Sequence, residues 1–133
     1  MKLTADIVIV GTGVGGLYCA LNLPQDMNII MITKSTVDES DSFLAQGGIC
    51  MLKNDDDTMR AGHYENKKES VDIMIRSSRD IISDLIHYGV DFERNPDGSL
   101  AFTKEGAHST PRICFHEDET GKAITSKLLE AVQ

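Results

Sequence analysis

Two short apolar runs flank a glycine-rich stretch near the amino terminus. Residues 6–10 read D-I-V-I-V and residues 27–32 read M-N-I-I-M-I. Neither run alternates with polar residues, which is typical of parallel strands that are buried on both faces. Between them, residues 14–23 have small and apolar side chains at helical spacing, and Pro24 ends the pattern. This order predicts a right-handed βαβ unit.

Polar residues dominate the middle of the chain until a long amphipathic pattern begins. Residues 35–42 predict a loop, and residues 53–68 form the segment for which we expect the least order. Ser70 is the predicted N-cap of a helix that ends at Gly89. One face of that helix collects its apolar positions together with one serine: Val71, Met74, Ile75, Ser78, Ile81, Ile82, Leu85 and Ile86.

A turn and a second helical pattern complete the chain. Residues 90–92 and 100–102 flank the sequence N-P-D-G, which predicts a hairpin. Residues 121–132 show helical spacing that continues to the last residues without a cap. We therefore expect the chain to be the amino-terminal part of a longer protein.

Composition and charge limit the classes of function. A chain of 133 residues with 41% hydrophobic content can bury a core without disulfides or metals. Its net charge of -8 would repel nucleic acid and anionic membranes. Cys19, Cys50 and Cys114 form no C-x-x-C pair, which favours a reducing cytoplasm and no metal. No run approaches the roughly 18 apolar residues of a membrane-spanning helix.

The glycine-rich stretch has the spacing of a nucleotide-binding turn. Gly11, Gly13 and Gly16 spell G-x-G-x-x-G. The first would make a tight turn, the second would admit a diphosphate to the backbone, and the third would allow close packing of helix and strand. The alternative is a flexible turn without a ligand. Such a fingerprint usually includes an acidic residue after the second strand, but Thr33 and Lys34 stand there, so the nucleotide stays open.

Three segments resemble the succinate dehydrogenase, fumarate reductase and L-aspartate oxidase group of flavoproteins. They are the T-K pair at residues 33–34, D-S-F-L-A-Q-G-G-I at residues 41–49, and F-T-K-E-G-A-H-S-T-P-R-I-C-F-H-E-D-E-T-G at residues 102–121. The resemblance covers nearly the whole chain, although relatives usually have a longer stretch near Asp55. It implies that FAD is bound by Gly11, Thr12, Gly13, Val14, Gly15, Gly16, Thr33, Lys34, Asp41, Ser42, Phe43, Leu44, Ala45, Gln46, Gly47 and Gly48.

Two positions refine what the resemblance implies for the flavin. Membrane-bound members couple FAD to a histidine, and Asp41 stands at the matching position, so we expect noncovalent FAD. Gly47 and Gly48 would allow the backbone to press against the flavin ring. The alternative interpretation of this pair is a turn before a strand.

Glu105 is the candidate catalytic residue. The sequence T-K-E-G-A-H-S resembles the L-aspartate oxidase branch, in which this glutamate faces the amino group of the substrate. A carboxylate can pair with that ammonium group and receive a proton from it. The alternative is an exposed glutamate on a surface loop.

A polar cluster follows Glu105 and is expected to support the substrate side of the site. It contains His108, Ser109, Arg112 and His116. Two histidines eight residues apart without a third ligand do not predict zinc. Arg112 is expected to form an ion pair or to cap the loop. His116 is expected either to orient the site by hydrogen bonding or to be an ordinary structural histidine.

The resemblance implies the following expectations for fold and function. The fold is α/β, with a Rossmann-type FAD-binding βαβ unit and parallel sheet over residues 1–50 and the start of a substrate-side α+β region over residues 51–133. The activity is oxidation of L-aspartate to iminoaspartate, with oxygen or fumarate as electron acceptor and a functional link to quinolinate synthase in NAD biosynthesis. We expect the 133 residues alone to be inactive. The alternatives are a soluble fumarate reductase or succinate-oxidising flavoprotein and a nucleotide-binding module without catalysis.

Overall fold

The computed structural model describes residues 2–54 and 56–133 and groups them into two compact units. The first unit contains residues 2–46 and 121–133, and the second contains residues 47–120. Asp55, within the segment expected to have the least order, lies outside the described residues. The domain boundary expected after residue 50 stays a prediction.

The first unit begins with the predicted βαβ arrangement. Strand β1 (Ile7–Val10) and strand β2 (Ile29–Ile32) pair in parallel, and helix α1 (Val14–Leu21) connects them. The amide of Asn28 donates to Asp6 Oδ2 at 2.8 Å, and the amide of Gly11 donates to the carbonyl of Ile32 at 2.8 Å. These two bonds hold both ends of the strand pair, so the predicted α/β unit is confirmed.

The expectation that both strands are buried on both faces is wrong for this unit. Val8 is 57% exposed, Val10 is 80% exposed and Ile32 is 47% exposed. Successive side chains of a strand point to opposite faces, and the described residues of this unit cover one face more fully than the other. An apolar run indicates that the side chains of a strand can be buried. It does not show which other segments pack on each face of the strand.

The loop predicted for residues 35–42 is partly helical. A 3-10 turn covers Val37–Glu39, and a one-turn helix, α2, covers Asp41–Leu44. The hydroxyl of Ser40 accepts a hydrogen bond from the amide of Phe43 at 3.2 Å, which caps this helix. Polar composition predicted a loop here because residues 38–42, which include the capping serine and the first two residues of the helix, are all polar.

The second unit contains a small antiparallel sheet that the sequence pattern did not predict. Strand β3 (Ile49–Cys50) pairs with strand β4 (Ile113–Cys114), with Ile49 opposite Cys114. Both strands have only two residues, so no periodicity marks them. Helix α3 (Asp56–Ala61) lies within the segment for which we expected the least order, and that expectation is wrong for these residues.

Helix α4 (Lys68–His87) supplies much of the core of the second unit. Its N-cap is Lys67 rather than the predicted Ser70. Gly89 follows it in the left-handed conformation, with φ of 97°, so the predicted end is confirmed. Its buried positions are fewer than the predicted face, since Met74 is 45% exposed. The core side chains of this unit are Leu52, Val71, Ile82, Leu85, Val90, Phe92, Ile113 and Cys114.

The predicted turn at N-P-D-G is confirmed, although its flanks are not regular strands. The amide of Asn95 donates to the carbonyl of Ser99 at 2.8 Å, and Gly98 has a φ of 85°. Arg94 and Leu100 form an isolated antiparallel bridge. The arrangement is therefore a short hairpin turn.

The last helix, α5 (Thr120–Val132), joins the first unit from Gly121 onward. The amide of Gly121 donates to the carbonyl of Ala45 at 2.9 Å, just after α2. Ile124 and Leu128 of this helix are buried, as is Leu17 of α1. Over the part of the chain that the structure describes, no helix combines the length and apolar character needed to cross a membrane.

Candidate cofactor and substrate site

The glycine turn between β1 and α1 has the backbone geometry that its sequence predicts. Gly11 has a φ of 106°, which side chains rarely tolerate. A Cβ atom at Gly16 would overlap the carbonyl oxygen of Gly11. The first glycine therefore makes the turn, and the third lets the helix approach the strand.

A serine from α2 lies against the start of α1. The hydroxyl of Ser42 accepts a hydrogen bond from the amide of Val14 at 3.1 Å. A Cβ atom at Gly13 would stand 3.0 Å from the same hydroxyl oxygen. Gly13 is the N-cap of α1, and its absent side chain cannot cap the helix. Because Gly13 has no side chain, the Ser42 hydroxyl can reach the N-terminus of α1.

A cavity of about 630 Å³ opens beside this turn within the first unit. It begins at the carboxyl ends of both parallel strands, where ligands of open α/β sheets bind. The predicted cofactor residues Thr33, Lys34, Asp41 and Ser42 line it. The full lining is Val10, Gly11, Thr12, Gly13, Ile32, Thr33, Lys34, Ser35, Thr36, Glu39, Ser40, Asp41 and Ser42.

Sequence reasoning found only part of this cavity. It missed the two strand ends, Val10 and Ile32, and the polar residues Ser35, Thr36, Glu39 and Ser40. The position of residues 35–42 directly after a parallel strand was the available signal. Conversely, nine residues that were predicted to bind the cofactor are not among the lining residues: Val14, Gly15, Gly16, Phe43, Leu44, Ala45, Gln46, Gly47 and Gly48.

The residues around the cavity fit the diphosphate and ribose of a nucleotide. The N-terminus of α1 carries the positive end of the helix dipole, and Lys34 adds a cation to the lining. The hydroxyl oxygen of Thr12, in the middle of the turn, is buried and has no hydrogen-bond partner among the described residues. A buried polar atom without a partner is uncommon, and a ligand can satisfy it.

The second unit holds Glu105 on a loop that is closed at its base. The amide of Arg112 donates to the carbonyl of Thr103 at 3.1 Å, and the amide of Thr103 donates to the carbonyl of Ile113 at 3.0 Å. Gly106 has a φ of 52°, so the chain turns immediately after Glu105. The side chain of Glu105 is exposed. The loop therefore presents a carboxylate at its tip.

The predicted glycine pair separates into two different environments. A Cβ atom at Gly47 would stand 3.7 Å from Glu105 Oε2, so the structure brings Gly47 and Glu105 together. A Cβ atom at Gly48 would overlap the Ile113 side chain and the Cys114 carbonyl. Pairing of β3 with β4 thus accounts for Gly48, as the alternative interpretation of a turn before a strand expects. Contact of either glycine with the flavin stays a prediction.

Ser109 and Arg112 share a buried carboxylate that the sequence did not single out. Asp57 Oδ2 accepts from the amide and hydroxyl of Ser109 at 2.7 and 2.8 Å and lies 2.9 Å from Arg112 Nη2. The expected ion pair of Arg112 is present. The Ser109 hydrogen bonds, and then the Arg112 and Arg60 guanidinium groups, hold the pKa of Asp57 below its ordinary value.

The two histidines of the predicted cluster have separate surroundings. His108 Nδ1 lies 3.9 Å from Cys50 Sγ, and burial raises the pKa of the Cys50 thiol. His116 Nδ1 lies 2.6 Å from the carbonyl of Asp91, to which the ring N–H donates, and its amide donates to Thr120 Oγ1 at 3.0 Å. These bonds support the structural interpretation of His116. Over residues 2–54 and 56–133, no group of three or more potential metal ligands assembles.

Comparison with known proteins agrees with the geometry of the turn. A family model described as FAD binding domain matches residues 6–133. The chain belongs to the FAD binding domain family. This membership and the names of its relatives indicate FAD as the cofactor, and the Rossmann-like fold predicted from the sequence is confirmed.

Its relatives include enzymes and solved structures of the predicted group. The chain is 46% identical, over all of its length, to the L-aspartate oxidases of Clostridium acetobutylicum and Clostridium perfringens, and it covers 32% of each. It also resembles the structure of an E. coli quinol fumarate reductase, with a TM-score of 0.92 and 26% identity over 99% of this chain and 25% of that one. The chain therefore spans about a third of the length of these two L-aspartate oxidases.

Proposed function

We propose that the full-length protein to which this chain belongs oxidises L-aspartate to iminoaspartate with noncovalently bound FAD. Oxygen or fumarate would be the final electron acceptor, and the product would supply quinolinate synthase. The observation that carries this proposal is Glu105, which stands at the position the resemblance assigns to substrate binding and lies beside Gly47. Similarity to two L-aspartate oxidases over the whole chain supports the same substrate.

The first unit would hold the cofactor through its backbone. The amides at the start of α1 would face the diphosphate, and Ser42 would lie beside it because its hydroxyl already contacts the Val14 amide. Thr33 and Lys34 would meet the ribose end of the cavity. When bound, FAD supplies the acceptor for the hydride that leaves the substrate. Asp41 lacks an imidazole, which supports noncovalent binding.

Glu105 would recognise the feature that separates an amino acid from a plain dicarboxylate. Its carboxylate would pair with the substrate ammonium group and could receive a proton from it as the carbon is oxidised. The turn at Gly106 exposes the carboxylate, and Gly47 has no side chain that would cover it. We propose that His108, Ser109 and Arg112 support this loop from the other side.

Substitution of Glu105 tests the proposal directly. In the full-length protein, Glu105→Gln keeps the size of the side chain and removes its charge. A hydrogen bond to a charged group contributes roughly 1.5–3 kcal/mol, so kcat/KM for L-aspartate should fall by about 10-fold to 150-fold. Glu117→Gln, at an exposed glutamate of the same unit, is the matched control and should change little. Equal kinetics for the two variants would exclude the proposed role.

A second candidate is a fumarate reductase or succinate-oxidising enzyme. The observation in its favour is the close structural similarity to the E. coli quinol fumarate reductase. Anaerobic mixing of the full-length protein with either L-aspartate or succinate separates the two. Bleaching of the flavin by L-aspartate alone supports the first proposal, and bleaching by succinate alone supports the second. A module without catalysis would show neither response.

A further inference from the structure

A buried carboxylate on α3 has no place in the cofactor or substrate roles assigned above. Asp57 is only 4% exposed, although it lies in a segment of acidic and polar residues. A buried carboxylate is costly unless it is paired and hydrogen-bonded. Asp57 has such partners, and they come from the loop that carries Glu105.

The carboxylate connects to that loop at two points. Asp57 Oδ2 accepts two hydrogen bonds from Ser109, one from its amide and one from its hydroxyl. Asp57 Oδ1 lies 2.8 Å from Arg60 Nη2, which also donates to the carbonyl of Ala107 at 3.3 Å. The backbone is therefore held on both sides of His108, and all of these residues belong to one compact unit.

Asp57 also forms a buried ion pair with Arg112, for which water cannot substitute. Arg112 is 1% exposed, so its guanidinium group depends on partners within the protein. Besides Asp57, it donates to Asn54 Oδ1 at 3.2 Å and to Thr110 Oγ1 at 3.0 Å. Removal of one member of a buried ion pair leaves the other charge uncompensated. The Asp57 carboxylate therefore compensates the buried charge of Arg112, at the C-terminal end of the loop.

Glu105 lies between these attachments and the base of the loop. Thr103 is bound to Arg112 and Ile113 by backbone hydrogen bonds on one side. On the other side, the amide of His108 donates to the carbonyl of Glu105 at 3.2 Å, directly before the attached Ser109. Between the two, Gly106 has a left-handed conformation and few intrinsic restraints. The position of Glu105 thus depends on what holds residues 107–109.

We propose that Asp57 is a positioning residue for Glu105: its bonds to Ser109, Arg112 and Arg60 hold the loop so that the Glu105 carboxylate stays beside Gly47. Asp57 does not touch the substrate and acts through the loop. This inference rests on the proposed function and deepens it, because it assigns the orientation of the ammonium-binding group to a residue 48 positions earlier in the chain.

A double-mutant cycle in the full-length protein tests this coupling. Asp57→Asn should lower kcat/KM for L-aspartate by about 10-fold to 100-fold, since a small displacement of a reacting group has effects of that size. In a Glu105→Gln background the same change should have little further effect, because no carboxylate remains to be positioned. Losses that multiply in the double variant would overturn the proposal and leave Asp57 a stabilising residue only.

Asp56→Asn is the matched control for this cycle. Asp56 is the exposed neighbour of Asp57 in the first turn of α3, so its substitution makes the same charge change near the same helix end. Its kcat/KM should equal that of the unmodified protein. If Asp56→Asn reproduces the loss seen for Asp57→Asn, the charge of the helix end is responsible and the proposal is wrong.

Arg60→Ala provides a second test should Asp57→Asn fail to fold. Arg60 is 60% exposed, and its loss removes the Ala107 hydrogen bond while the buried pair of Asp57 and Arg112 remains. Amide hydrogen exchange of residues 105–110 should become at least about threefold faster, with the melting temperature little changed. Unchanged exchange in this segment would contradict the proposal.

The activity assay of the unmodified protein and the double-mutant cycle together separate failure of this inference from failure of the proposed function. If the unmodified full-length protein does not oxidise L-aspartate, the proposed function fails and this inference fails with it; if it does but Glu105→Gln is equally active, Glu105 has no role to be positioned for and only this inference fails. If Glu105→Gln lowers activity but the Asp57→Asn loss multiplies with it, only the positioning role is wrong.

Discussion

The glycine turn of the first unit and the Glu105 loop of the second unit are built in different ways. The turn depends on neighbours in sequence, because Gly11 and Gly16 meet across a single strand-to-helix connection. The loop depends on partners far away in sequence, because Asp57 and Ser109 are separated by 52 positions. The conformation of the glycine turn is determined by its backbone. The conformation of the Glu105 loop is determined by buried polar side chains.

This difference determines what each region tolerates. A turn made by backbone conformation responds to a Cβ atom added where the backbone is left-handed or crowded, as at Gly11 and Gly16. A loop held by an ion pair and hydrogen bonds responds to charge and pH. Added Cβ atoms should therefore affect the glycine turn most, and a change of charge or pH should affect the Glu105 loop most.

The largest expected effect is at the third glycine of the turn. Gly16→Ala would place a Cβ atom on the carbonyl oxygen of Gly11, and backbone atoms there cannot easily move. The free energy of unfolding should fall by about 3 kcal/mol, as for an overpacked site. Urea denaturation of the purified protein measures this change.

The adjacent glycine is the control for this prediction. A Cβ atom at Gly15 would meet nothing within 4 Å, and Gly15 is helical. Gly15→Ala should therefore stabilise the protein by about 0.5–1 kcal/mol through a better helix propensity. Equal destabilisation by both substitutions would show that close helix-to-strand packing is not the reason for Gly16.

A smaller effect is expected for the glycine pair of the second unit. Gly48→Ala would press on Ile113 and on the Cys114 carbonyl and should destabilise the protein by about 2 kcal/mol. Gly47→Ala would meet only Glu105 Oε2, at ordinary contact distance, and should leave the unfolding midpoint nearly unchanged. The reverse order of the two midpoints would contradict the account of β3 and β4 pairing.

These two regions also show how far the sequence can predict the structure. The βαβ unit was predictable because apolar runs and glycine spacing act over a few residues. Helix α3 was not, because D-D-D-T looks like a solvated segment until Ser109 and Arg112 are known to surround Asp57. The family resemblance led to Glu105, but no local pattern in the sequence pointed to what holds its loop.

The smallest expected effect is the pH dependence of the Asp57 attachment. Because the pKa of folded Asp57 is lowered, its ionised form contributes stability that is fully present above the unfolded value of about 3.9. That contribution is lost as the pH falls through the lowered folded pKa. The difference in unfolding free energy between the unmodified protein and Asp57→Asn should thus be constant near neutral pH and shrink below about pH 4.

Asp97 provides a local comparison for this pH effect. The hydroxyl and amide of Ser99 lower its pKa too, but both bonds lie within one exposed turn. Asp97→Asn should show the same direction of pH dependence with a smaller amplitude, because no buried cation depends on it. An Asp97→Asn amplitude that matches that of Asp57→Asn would show that the buried Arg112 cation adds nothing to the pH dependence of the Asp57 attachment.

The central claim is that the turn between β1 and α1 receives the diphosphate of FAD. Amide NMR spectra of the isotopically labelled protein, recorded during a titration with FAD, test it most directly. The amides of residues 12–16 should shift strongly, while those of Asn95, Asp97 and Gly98 should not. Saturation with FAD that leaves the amides of residues 12–16 unshifted would contradict the claim.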